Sequence, residues 1–74
     1  MVFGQATVSN GNTSVTITVA GGFANEDNAV VSFAEAPTAA TKIWTAKDGS
    51  GDLVIHIDQD NTANLKVNYI IDLR

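Results

Sequence analysis

The sequence predicts an all-β domain, a compact antiparallel sandwich or barrel of about six strands. Three segments alternate apolar and polar residues with a period of two, turn-forming residues separate the segments, and no stretch repeats with helical period. Thr13 to Ala20 sets Val15, Ile17 and Val19 on one face and Ser14, Thr16 and Thr18 on the other. Asp52 to Asp58 points Leu53, Ile55 and Ile57 inward, and Leu65 to Leu73 does the same with Leu65, Val67, Tyr69, Ile71 and Leu73. Successive strand side chains leave opposite faces, so each segment has a core side and an outer side.

The other three elements follow in order. Phe3 to Val8 forms the first strand. Ala29 to Ala34 is a short apolar run suited to a strand covered on both faces. Lys42 to Lys47 completes the set. Asn10-Gly11-Asn12 carries the positive-φ chemistry of a tight hairpin, and Asp48-Gly49-Ser50-Gly51 joins the fourth and fifth strands in the same manner. Gln59 to Asn64 is a polar link to the last strand. Residues 21–28 and 35–41 are longer, and Pro37 keeps a strand out of the second. These longer loops are the expected crossings between sheets.

A chain of 74 residues forms one domain. It buries only about 60% of the surface that its unfolded form exposes, so its stability margin is thin. Disulfides and thiolate metal sites are excluded because there is no cysteine, and one histidine builds no His-rich site. Association with another chain is the remaining way to cover apolar surface. Val30 and Val31, like Tyr69 and Ile70, put apolar groups on both faces of their strands, and a homo-oligomer would cover the outer ones. The net charge of −4, with Lys42, Lys47, Lys66 and Arg74 scattered, offers no basic patch for nucleic acid. No apolar run reaches the ~20 residues of a membrane-spanning helix, and no signal-peptide pattern opens the chain. Only 16% of residues are charged, against about 25% in ordinary domains, a balance that suits extracellular or virion proteins.

Candidate chemistry is sparse. His56 sits mid-strand opposite Leu53, Ile55 and Ile57, and no serine lies in a nucleophile elbow, so an enzyme is not expected. Asp52, Asp58 and Asp60 read as strand-end and turn formers rather than a catalytic pair. Asp48 to Asp52 and Asp58 to Thr62 space side-chain oxygens as calcium loops do. Leu53 and Ala63 occupy the positions that need glycine, and no bidentate Glu follows. Neither metal nor cofactor is expected. Asn12-Thr13-Ser14 matches a glycosylation sequon but reads as a turn. Trp44, between Lys42 and Ala46 on its strand face, is expected to be buried in the core or at a subunit contact. If exposed, it offers an aromatic platform for a glycan, with His56, Asp58 and Asp60 beside it.

The run Gly4-Gln5-Ala6-Thr7-Val8, followed by Gly11-Asn12-Thr13-Ser14-Val15-Thr16-Ile17-Thr18-Val19, resembles the opening of small β-sandwich domains in tailed-bacteriophage structural proteins. Ala29 to Phe33 and Val67 to Ile71 are similar to the core and closing strands of those domains. The resemblance implies a virion protein assembled in the host cytoplasm. It would be a capsid decoration or cement protein, a head fibre or a tail-fibre tip, frequently trimeric, with a capsid or other virion protein as partner. A chain that opens on Met1 at this length fits a complete decoration protein better than a receptor-binding fibre. Phe3, Trp44, Tyr69 and Ile70 are the residues expected at packed interfaces.

Overall fold

A computed structural model describes residues 2–18, 29–47 and 51–72. Six strands form two three-stranded antiparallel sheets: β1 (Val2–Val8), β2 (Ser14–Ile17), β3 (Ala29–Phe33), β4 (Ile43–Lys47), β5 (Leu53–Ile57) and β6 (Leu65–Ile71). The expected ends of the second and last strands, Val19, Ala20 and Leu73, lie outside the described residues, as do residues 21–28 and 48–50. The first sheet runs β1-β6-β3 and the second β2-β5-β4. Each sheet is therefore centred on one of the two strands with the cleanest alternation.

Those two central strands supply most of the core. Leu53, Ile55 and Ile57 from β5 face Leu65, Val67 and Ile71 from β6, and Val8 and Ala40 close the layer. Ala6, Val15, Ile17, Ala29, Val31, Phe33 and Ile43 pack around its margin, half-buried on the edge strands, with Tyr69 of the central β6 beside them. Alternation decides the rest: the residues one step out of phase with these stand on the outer face of their sheet, some exposed and others, such as Val54 and Ile70, half-buried.

Two of the connections depart from expectation in the same way. Asn10 and Gly11 do make a tight turn, with Gly11 at φ 92° and Asn12 N donating to Ser9 O at 2.9 Å. The strands it joins do not pair with each other, however. β1 pairs with β6, and β2 pairs with β5. The turn is an arch from one sheet to the other, not a hairpin. The link from β5 to β6 also crosses, as do the two longer loops, where crossings were expected. Of the consecutive strands only β4 and β5 pair with each other, antiparallel, and Gly51 stands at φ 82° just ahead of β5.

The segment 58–64 explains how the arches are held. Asn61 is 3% exposed, and its Oδ1 accepts from the backbone N–H groups of Thr38, Ala39 and Ala40 at 2.8, 2.9 and 3.1 Å. Gln59 Nε2 donates to Ala39 O alongside. Asp60 Oδ1 accepts from Gly11 N at 2.9 Å and Thr62 N at 3.0 Å, and Asn64 Oδ1 accepts from Asn10 N at 2.8 Å. One loop thus supplies the acceptors for the amides of two other crossings. Thr62 sits within it at φ 60°, an unusual conformation for a β-branched residue, held by Asp60 and by its own hydroxyl donating to Asn61 O at 2.6 Å.

Candidate functional site

Two outer faces carry side chains that folding leaves uncovered. On the first sheet, strand register aligns Phe3 with Ile70 and Ile70 with Val30, so the three form a row across β1, β6 and β3. Phe3 is 70% exposed and Val30 63%, with Ile70 half-buried between them. An apolar row of this kind is contiguous by construction, because cross-strand neighbours stand about 4.5–5.5 Å apart. The next row on the same face is polar: Gln5, Asn68 and Ser32, with Gln5 Nε2 donating to Asn68 Oδ1 at 3.3 Å. The apolar character is thus confined to one end of the sheet.

On the second sheet, Ser14, His56 and Trp44 share a row. The Trp44 indole and the His56 imidazole stack with centroids 5.6 Å apart and planes inclined by 16°. Trp44 is 47% exposed, which overturns its expected burial in the core. The reason is phase. Ile43 and Thr45 take the inward positions of β4, and residue 44 is left on the outer face with His56 as its only aromatic neighbour among the described residues.

Tyr69 turns toward the sandwich interior at the margin of the core, the side that the alternation of its strand predicts. Its ring lies over Gly4, its register partner. A Cβ at position 4 would fall 2.3 Å from Tyr69 Cζ and Oη, so glycine is what admits the ring. Ile70, one step out of phase, is the member of that pair on the outer face.

The carboxylates take structural roles. Asp58 receives hydrogen bonds from Thr41 Oγ1 at 2.6 Å, Thr41 N at 2.8 Å and Lys42 N at 3.1 Å. The Thr41 hydroxyl and amide, then the Lys42 amide, stabilise the ionised form and bring its pKa from 3.8 down to about 2. Asp60 is turned to Gly11 and Thr62. The two residues expected to flank a glycan on the Trp44 face are therefore engaged in holding loops, and Trp44 and His56 form the pair that remains outward. Among the described residues no three of His, Asp and Glu gather as metal ligands. Residues 48–50 of the first calcium-like loop lie outside the described residues.

Sequence reasoning missed Val30 as part of the outer row, although it noted the valine pair. It also missed Asn61, whose only signal was its place in an Asn-rich loop. Compared with protein-family models, curated proteins and solved structures, the chain matches none.

Proposed function

We propose that this domain is a non-enzymatic assembly subunit that works by stoichiometric packing against copies of itself and a larger protein shell. The observation that carries the reading is the outer row of Phe3, Ile70 and Val30, two members of which are more than half exposed. Among the described residues there is no third layer to cover that row. Large exposed apolar side chains that adjoin one another mark interaction surfaces more often than scattered single ones do. Tailed-phage virions, where the resemblance of the β1–β2 region points, are the setting that fits: a decoration or cement protein binds in fixed ratio and needs no pocket. The test is solution mass by light scattering, with Phe3→Ser and Val30→Thr as variants. Association that weakens in both variants while the fold persists supports the reading. A parent protein that stays monomeric at millimolar concentration, or variants that associate as tightly as the parent, sinks it.

A second reading is favoured by one specific observation, the exposed Trp44 stacked on His56. Stacked aromatic faces bind the apolar faces of sugar rings, and this pair lies on the sheet opposite the apolar row. In that reading the domain binds a glycan or receptor. Trp44→Ala abolishes binding on a glycan array if it is right, and an array without signal for the parent removes it.

A further inference from the structure

The deepest asymmetry in the molecule lies in its charge. No charged residue occurs before Glu26, so β1 and β2 carry none, and all eight acidic and four basic residues stand later in the chain. β1 and β2 are edge strands, one in each sheet, and they lie over each other along the same flank of the sandwich. The opposite flank consists of β3 and β4, and β4 ends in Lys47 and is preceded by Lys42.

Edge strands present unpaired backbone N–H and C=O groups, and natural proteins protect them with charges, prolines, bulges or short length. β4 has its lysine, β2 has four residues and β3 five. Among the described residues, β1 has none of these protections. It runs seven residues, pairs one-to-one with β6 from Val2 to Val8 without a bulge, and contains neither proline nor charge. Phe3, the most exposed large apolar residue described, stands on this same edge.

We propose that β1 is a self-pairing edge: two copies of the chain join antiparallel through their β1 strands, extending the first sheet to six strands. This rests on the assembly reading above and deepens it by naming the contact. The occupant is a second copy on grounds of charge. Copies with net charge −4 repel one another, and of the two flanks the β1–β2 flank is the one whose described strands carry no charged side chain. A two-fold axis normal to the sheet also keeps outer faces with outer faces, so Phe3 of each copy joins the outer surface of the extended sheet. Self-complementary contacts of this type give closed dimers rather than fibres. The two-fold contact differs from the three-fold association that the phage resemblance implies, which makes stoichiometry decisive.

The experiment uses the full chain. Sedimentation equilibrium from micromolar to millimolar concentration gives the stoichiometry for the parent, for Gln5→Lys on the β1 edge and for Ser32→Lys on the β3 edge. Both substitutions fall at exposed positions of the same outer face. The expected result is a dimer whose dissociation constant rises about tenfold in Gln5→Lys and little in Ser32→Lys, because like charges then face each other across the new pair. Amide hydrogen exchange on the parent supplies an independent readout that needs no variant: alternate amides of β1 slow as concentration rises, and those of β4 do not. A dimer with no β1 protection, or one equally weakened by both lysines, overturns the pairing. A trimer overturns the two-fold contact and leaves the assembly reading standing, whereas a monomer at all concentrations removes both.

Discussion

Asp58 and Asn61 are two polar residues four positions or fewer from the end of β5, and each does through one side chain what a longer loop does with backbone. Asp58 is held ionised chiefly by the Thr41 hydroxyl, then by the Thr41 and Lys42 amides. A carboxyl whose folded pKa is depressed favours the native state above its unfolded pKa, and the contribution fades as pH falls toward the folded value. Here that window runs from 3.8 down to about 2. Thr41→Val removes the largest cause, so NMR titration of the Asp58 carboxyl is expected to show its pKa rising toward 3.8. A midpoint unchanged at about 2 would contradict that assignment. Asn61 is the more costly residue to lose. Asn61→Ala deprives three backbone N–H groups of their common acceptor beside the buried Ala40. The expected loss is about 2–3 kcal/mol in urea denaturation, because a desolvated donor without a partner is penalised in full. A loss below about 0.5 kcal/mol, the size of an ordinary surface change, would show that water replaces the amide. Neither role was legible in the sequence, where both residues looked like turn formers. Their partners stand 16 to 23 positions away, and nothing local encodes them.

At the scale of the strand, the period-two pattern specified nearly everything that alternation controls. The inward set of β5 and β6 and the described bounds of β2, β5 and β6 follow from it, while β1, β3 and β4 were placed to within a residue by apolar runs between turn signals. The phase of β4 was the exception. Ile43 and Thr45 compete with Trp44 for the interior, and the size of an indole suggested burial where the flanking pair won. Partner choice was legible only in part, because an Asn-Gly turn dictates a reversal of direction and not the sheet to which the returning strand belongs. The acceptors on Asp60 and Asn64 made that choice from 49 and 54 positions away. The β1–β6 pair offers a test of packing across a ladder. Gly4→Ala places a methyl in the Tyr69 ring, so the ring must swing from the core margin, at a cost of about 1–3 kcal/mol. In a Tyr69→Leu background the same change costs little, and a double-mutant cycle reads the difference as coupling. Additive effects would place the Tyr69 ring somewhere other than over Gly4.

For the whole molecule, the striding of the chain between sheets governs how it forms. β1 must wait for β6 at the far end of the sequence, and β2 must wait for β5. Only β4 and β5 can pair with a local partner. Topologies dominated by distant pairings fold in milliseconds to seconds, while hairpin-rich or helical chains of similar size are faster. Stopped-flow refolding is therefore expected to give a time constant of about a millisecond or longer. Microsecond folding would point to a local nucleus that the strand pairing does not contain. The same register has a mechanical reading. Val2 sits opposite Ile71, so the outer ends of β1 and β6 leave the sheet side by side. A load applied between those ends does not shear a ladder of bonds together; it peels β1 from β6 one rung at a time. A domain tethered in this way yields at low force when drawn by both ends, and resists best when anchored through one end alone, with its partner gripping the body of the sandwich.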